Sequence, residues 1–142
     1  MIVQDIRSID GGGFQAVLPV SETSVAAGYP SPAQDYFLGS INLSEHLIHD
    51  STSTFIVRVS GHSMQGAGIS DGDELIVNRA RNPVDGSVVV AILDGEMTVK
   101  RLRLTPRGVV LQAENPDYPD LAVGELASLT IWGVAEKCIH HL

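Results

Sequence analysis

The chain has 142 residues, of which 44% are hydrophobic and 18% are charged, so it can form one domain with an apolar core. Nine Lys and Arg residues stand against seventeen Asp and Glu residues, and the net charge of −8 argues against a protein that binds DNA mainly through its phosphates. The aromatic content of 5% argues against a stacking surface for single-stranded nucleic acid. The sequence has no long apolar run and no signal-peptide pattern, which predicts a cytoplasmic protein without a membrane span. Its single cysteine, Cys138, excludes an internal disulfide framework and a cysteine-rich zinc site.

Residues 1–40 are interrupted so often by glycine and proline that a long helix or a continuous sheet is unfavourable there. The interruptions are Gly11, Gly12, Gly13, Pro19, Gly28, Pro30, Pro32 and Gly39. We therefore expect a short flexible N-terminal arm over residues 1–40 and a β-rich domain over residues 41–142. A short helix is predicted at 43–49, with Asn42 or Ser44 as its N-cap.

Beyond residue 50 the sequence is typical of β-strands, with short β-branched and apolar runs separated by turn residues. The predicted strands are 54–59, 74–77, 87–93, 96–104, 109–113 and 128–139. Asp94-Gly95 is a residue pair that favours a type I′ hairpin. Seven or so short strands with few helices predict a mainly β fold of curled antiparallel sheets.

The loop Ser60-Gly61-His62-Ser63-Met64 follows the first strong strand. Small residues let the backbone approach a substrate, and a serine on a sharp turn can present its hydroxyl outward. A serine after a strand is also a common turn former, so the loop alone does not distinguish a nucleophile from a structural residue.

Lys100 is one of two lysines and lies inside a predicted strand. Side chains alternate along a strand, so Lys100 shares a face with Leu102 and Leu104, whereas Arg101 and Arg103 point the other way. Burial disfavours the charged form of a lysine, and a neutral amine beside a serine hydroxyl is a general base. The alternative is that Lys100 lies at the edge of the fold and extends its amine to water.

The histidines are weaker candidates for catalytic or metal-binding residues. His62 is adjacent to Ser63, but adjacent side chains on an extended turn point in different directions, so His62 is poorly placed as its base. His46 and His49 have a spacing that metals use, yet the sequence offers no third ligand, and no metal or cofactor is predicted. The pair His140 and His141 is typical of a solvated tail.

The bond Ala27-Gly28 is among the least bulky in the chain and lies in the predicted arm. Such a peptide can enter a narrow serine pocket without a steric penalty. Ala-Gly is also common in linkers, so this feature gains meaning only together with the others.

These elements together resemble the LexA/UmuD family of self-cleaving Ser–Lys peptidases over residues 25–138. The likeness rests on the loop 60–64, the following segment 68–73 and the lysine strand 98–101, with Lys100 37 positions after Ser63. The strand before the serine loop, residues 55–59, and Trp132-Gly133-Val134 near the end also fit. Pro30 to Tyr36, after the small Ala27-Gly28 bond, is similar to the UmuD branch in particular.

The resemblance implies that Ser63 attacks the carbonyl of Ala27, that Lys100 is the general base and that the backbone amides of His62 and Ser63 hold the oxyanion. It also implies that a RecA–single-stranded-DNA filament stimulates this self-cleavage during the SOS response to DNA damage. The trimmed product would then serve, as a homodimer, a UmuC-like Y-family polymerase in translesion synthesis. Only 27 residues precede Gly28, too few for the helix-turn-helix domain of the repressor branch, so no direct sequence-specific DNA binding is expected.

Two alternatives to a self-cleaving peptidase are a non-enzymatic β module, which binds a polymerase or filament and keeps a vestigial dyad, and a repressor fragment. The acidic composition argues against the second. Signal peptidases share the Ser–Lys chemistry, but they need a membrane anchor that the sequence lacks.

Overall fold

The computed structural model describes residues 1–9, 17–20 and 39–142, with only the backbone described at 17–20 and 39. These residues form two compact units: residues 1–9 together with 50–142, and residues 10–49. The elements in chain order are β1 (Ile2–Ser8), β2 (Val17–Val20), β3 (Gly39–Asn42), α1 (Leu43–Leu47), β4 (Thr54–Ser60), a 3₁₀ turn (Gln65–Ala67), β5 (Glu74–Asn78), β6 (Val88–Leu93), β7 (Glu96–Thr105), β8 (Gly108–Gln112), β9 (Leu121–Ala122) and β10 (Leu129–Ile139).

In its described residues, the smaller unit contains one antiparallel strand pair and one helical turn. Strands β2 and β3 pair antiparallel, and α1 follows β3 directly. The Asn42 side chain accepts a hydrogen bond from the Glu45 amide at 3.2 Å, which confirms one of the two predicted N-caps. The helix ends at Leu47, two residues before the predicted end, because Ile48 already has an extended backbone.

The larger unit is an eight-stranded antiparallel sheet with the order β1-β4-β5-β10-β6-β7-β8-β9. Strand β1 also pairs with β7, because Ile2 is opposite Ser60 on one side and opposite Thr98 on the other. This second pairing closes β1, β4, β5, β10, β6 and β7 into a ring. The mainly β, antiparallel fold class expected from the sequence is therefore confirmed.

All six predicted strands are present with ends close to those expected. The predicted hairpin between β6 and β7 is confirmed, since Asp94 and Gly95 both have positive φ values, 50° and 84°, as a type I′ turn requires. Asp94 can adopt a positive φ because aspartate, with its short polar side chain, visits the left-handed region more readily than most residues.

Strand β1 differs from the expectation that residues 1–40 form an arm. Its residues pair with β4 from Ile2↔Ser60 to Ser8↔Phe55, so the first nine residues belong to the β-rich unit. The glycines and prolines that suggested an arm begin only at residue 11, and the partners of β1 lie far away in sequence, where a local pattern carries no information. Most of the remaining arm, including the Ala27-Gly28 bond, lies outside the described residues.

Two buried apolar clusters hold the larger unit together. One contains Met1, Val57, Val59, Met64, Ile69, Leu75, Val77, Val90 and Val99. The other contains Val89, Ala91, Leu102, Leu111 and Val134. The first cluster surrounds the serine loop, so the core that stabilises the sheet also positions that loop. Within the described residues, no helix is long and apolar enough to cross a membrane.

Candidate active site

Ser63 lies in the loop that follows β4 and is fully buried. The chain leaves β4 at Gly61, whose φ of +101° would be strained for any residue with a side chain. Met64 then inserts into the first apolar cluster, and the 3₁₀ turn ends at Gly68 in the left-handed region. The loop is therefore anchored on both sides of the serine.

Lys100 lies in the middle of β7, opposite Val89 of β6, and only 7% of its surface is exposed. Its Nζ donates to Ser63 Oγ at 2.9 Å and to the Val99 carbonyl at 3.4 Å. The alternative, in which this amine extends to water, does not describe the structure. The serine and lysine that the sequence singled out are thus direct neighbours.

The segment after β8 holds the serine loop from the other side, a feature that the sequence analysis did not anticipate. The Glu114 amide donates to the Ser63 carbonyl at 2.8 Å, and the Gly66 amide donates to the Glu114 carbonyl at 2.7 Å. Asn115 Nδ2 donates to the His62 carbonyl at 2.8 Å. The Glu114 carboxylate also accepts a hydrogen bond from Arg101, which follows Lys100 in β7. This one segment therefore holds the Ser63 loop directly and holds β7 through the residue next to Lys100.

The N-terminus is the second unexpected participant. The amino nitrogen of Met1 lies 2.5 Å from Ser63 Oγ, and the Met1 side chain is buried in the first apolar cluster. Burial, followed by the hydrogen bond and charge of Lys100, lowers the pKa of this amino group from 8.0 to about 5. No pattern in the sequence signals this contact, because it joins residues 62 positions apart.

His62 does not face the serine hydroxyl. Its side chain is exposed, and its Nδ1 lies 3.1 Å from Gln65 Nε2. This agrees with the sequence argument against His62 as the base. The backbone amides of His62 and Ser63, which were predicted to hold an oxyanion, donate to no other residue in the described part of the chain.

Asp73 lies just before β5, at the end of the segment that follows the serine loop, and is 2% exposed. It accepts from the Ser70 amide at 2.7 Å, and its other oxygen lies 2.6 Å from His140 Nδ1. Burial raises the pKa of Asp73, but the hydrogen bonds from Ser70, His140 and Cys138 outweigh it and leave the pKa below its ordinary value. His140 is exposed, as a solvated tail predicts, but its ring also pairs with the buried Asp73 carboxylate, which the sequence did not indicate.

The remaining reactive or metal-binding candidates are Cys138, His46 and His49, and none of them belongs to a metal-binding group in the part of the chain that the structure describes. Burial and the nearby Asp73 carboxylate raise the pKa of the Cys138 thiol to about 12, which suppresses its reactivity as a thiolate. His46 lies in the last turn of α1 and His49 lies beyond the helix. In the part of the chain that the structure describes, no three His, Cys, Asp or Glu side chains are grouped to hold a metal ion.

The comparisons with known proteins agree with this geometry. The Peptidase S24-like family matches residues 19–136. Protein SamA of Salmonella typhimurium is 41% identical over 126 residues, which cover 89% of this chain and 87% of SamA. Protein ImpA of Escherichia coli is 40% identical over 135 residues, which cover 94% of this chain and 92% of ImpA.

A relative from the repressor branch matches over a smaller part of its own length. The LexA repressor of Delftia acidovorans is 43% identical over 117 residues, which cover 82% of this chain but 52% of the repressor. The match covers most of SamA and ImpA but about half of the repressor, so this chain is more similar in overall length to SamA and ImpA. The chain therefore belongs to the Peptidase S24-like family of serine peptidases, and within it is a UmuD-like member of the LexA/UmuD group.

Proposed function

We propose that this protein is a self-cleaving serine peptidase in which Ser63 is the nucleophile, Lys100 is the general base and Ala27-Gly28 is the scissile bond. One observation carries the proposal above all others. A buried lysine amine lies 2.9 Å from a buried serine hydroxyl, with the loop that bears the serine fixed from two sides. This is the arrangement that the Ser–Lys form of nucleophilic catalysis needs.

The reaction proceeds in two stages. Neutral Lys100 takes the Ser63 proton while Oγ attacks the Ala27 carbonyl carbon, and the backbone amides of His62 and Ser63 hold the resulting oxyanion. Protonated Lys100 then gives its proton to the Gly28 nitrogen as the peptide bond breaks, leaving an ester between Ala27 and Ser63. Water, deprotonated by Lys100, hydrolyses this ester and releases residues 1–27 from residues 28–142.

The biological setting follows from the family. UmuD-like relatives support a role in SOS mutagenesis after DNA damage. The proposal adds that a RecA–single-stranded-DNA filament stimulates cleavage by favouring the cleavable conformation of the arm. The trimmed protein then acts as a homodimer with a UmuC-like translesion polymerase.

Intact-mass measurement after incubation with a RecA filament tests this function. The wild-type chain should shorten to a species that begins at Gly28, whereas Ser63→Ala and Lys100→Met should stay intact. Lys137→Met replaces the only other lysine and is the matched control, so it should cleave like the wild type. Gly28→Glu should block cleavage through bulk and charge at the scissile bond.

Two outcomes would contradict the proposal. Cleavage of Ser63→Ala at the wild-type rate would show that another nucleophile acts. A wild-type chain that stays intact with the filament would favour the alternative of a β binding module with a vestigial dyad.

A further inference from the structure

Strand β1 lies in the space between the two strands that carry the dyad. Strand β4 leads into the Ser63 loop, and β7 bears Lys100. Ile2 is paired with Ser60 of β4 and with Thr98 of β7, so it bridges the two strands at the level of the site. The first residues of the chain therefore fill a channel whose walls are the backbone edges of β4 and β7.

Met1 is bound in this channel as an extended peptide would be. Its carbonyl accepts hydrogen bonds from the Val99 amide at 3.1 Å and from Thr98 Oγ1 at 2.8 Å. Its side chain is 6% exposed and packs in the cluster that contains Val59 and Met64. The channel thus offers strand pairing to a backbone and an apolar pocket to the side chain beside Ser63.

This occupancy is incompatible with nucleophilic attack. A substrate carbonyl carbon has to approach the serine oxygen to about 3 Å before reaction. The Met1 nitrogen already lies 2.5 Å from Ser63 Oγ, on the reactive atom itself. A scissile peptide cannot reach that atom until Met1 has moved away.

Beyond Met1, β1 is held mainly by strand pairing, and most of its side chains are exposed. Five of its seven residues are exposed, including Ile2 at 65% and Ile6 at 37%. The pairing with β4 is interrupted by an irregularity between Val3 and Asp5. Apart from Met1 and Val3, which pack on the first apolar cluster, the segment buries little apolar surface, and this lowers the free-energy cost of its withdrawal.

We propose that the channel between β4 and β7 is the peptide-binding groove of the Ser63–Lys100 dyad, and that residues 1–8 of the same chain occupy it and hold the site closed. The groove takes an extended peptide with an apolar side chain next to Ser63. Self-cleavage then requires β1 to leave before the arm can enter. This inference rests on the proposed peptidase function for its consequence, but not for the placement of β1.

A disulfide between Ile2→Cys and Thr98→Cys tests both parts in the full chain, with Cys138→Ser removing the native thiol. Ile2 and Thr98 are a non-hydrogen-bonded antiparallel pair, because the Val99 amide donates to the Met1 carbonyl. Their Cα atoms are therefore about 4.5 Å apart, which suits a disulfide. The matched control places the second cysteine at Thr105, the far end of β7.

The expected result is a disulfide, seen as a loss of about 2 Da, in the Thr98→Cys chain but not in the Thr105→Cys chain. The oxidised chain should self-cleave at least tenfold more slowly than the same chain incubated with dithiothreitol, when both samples are quenched and fully reduced before their masses are measured, because the disulfide would otherwise keep the two products joined. Equal disulfide formation in both chains would overturn the placement of β1. Equal cleavage of oxidised and reduced chains would overturn the closure.

Failure of the proposed function would be recognised separately. If the wild-type chain never cleaves, the peptidase proposal fails, while selective disulfide formation still decides whether β1 occupies the groove.

Discussion

At the scale of single residues, the site places two amines around one hydroxyl. The amino group of Met1 and the Nζ of Lys100 both contact Ser63 Oγ in a buried environment. Burial is the main cause that lowers the pKa of the Met1 amine to about 5, and the hydrogen bond and charge of Lys100 add to it, so that this amine is neutral at pH 7.

The close approach of Gly66 to Glu114 gives a prediction about positioning of the nucleophile. A Cβ at Gly66 would lie 2.6 Å from the Glu114 carbonyl oxygen, so Gly66→Ala has to displace the backbone that also holds Ser63. We expect a loss of about 1–3 kcal/mol in the free energy of unfolding and self-cleavage slowed about tenfold or more. Thermal denaturation and the rate of intact-mass loss measure the two effects.

Gly124→Ala is the control for this substitution. Nothing lies within 4 Å of its added Cβ, so we expect a stability change within about 0.5 kcal/mol and an unchanged cleavage rate. A Gly66→Ala protein as stable and as active as the Gly124→Ala protein would show that the Glu114 segment does not position the loop.

At the scale of elements, the docking of β1 should depend on pH. The Met1 amine has a pKa of about 5 when docked, against 8.0 ordinarily, and Lys100 is the titratable group that contacts the same Ser63 hydroxyl. Between pH 8 and pH 5 the undocked state therefore binds a proton that the docked state does not. Docking is strongest above pH 8, weakens as the pH falls and changes no further below about pH 5.

Hydrogen exchange at the Val99 amide measures this effect, because that amide donates to the Met1 carbonyl. Its protection factor, corrected for the intrinsic exchange rate, should fall as the pH is lowered from 8 to 5. The Gly72 amide, which donates to the Val59 carbonyl, is the control and should keep its protection. A parallel change at both amides would indicate general loosening of the fold instead of release of β1.

The elements also show where the sequence was informative. Strands β4 to β8 and β10 were predictable because their β-branched runs and turn residues are local signals, and Asp94-Gly95 fixed one hairpin. The neighbourhood of Ser63 and Lys100 was predictable through the resemblance to a known family, because neither segment alone distinguishes a dyad from a turn serine and an edge lysine. The pairing of β1, the contact of Met1 and the support from Glu114 were not, since each depends on residues brought together only by the closed sheet.

At the scale of the whole molecule, the ring of strands couples the site to the fold. Residues 1–27, the fragment that the proposed cleavage releases, include all of β1. Cleavage would therefore remove the strand that joins β4 to β7 and would leave both backbone edges unpaired. The acidic net charge of −8 disfavours direct binding to DNA phosphates and is compatible with a protein that acts on a peptide and binds other proteins.

The most direct test of the account is the rate of self-cleavage of the full chain between pH 8 and pH 10, followed by intact mass. The undocked Met1 amine, with its ordinary pKa of 8.0, is half protonated at pH 8 and neutral from about pH 9, so β1 docking changes at most about twofold in this range and a larger pH dependence reports the general base. An ordinary lysine loses its proton near pH 10.4. We expect the cleavage rate of the wild type to rise steadily with pH and the Lys100→Met chain to show no cleavage. A wild-type rate that stays flat from pH 8 to pH 10 and is matched by the Lys100→Met rate would contradict Lys100 as the base.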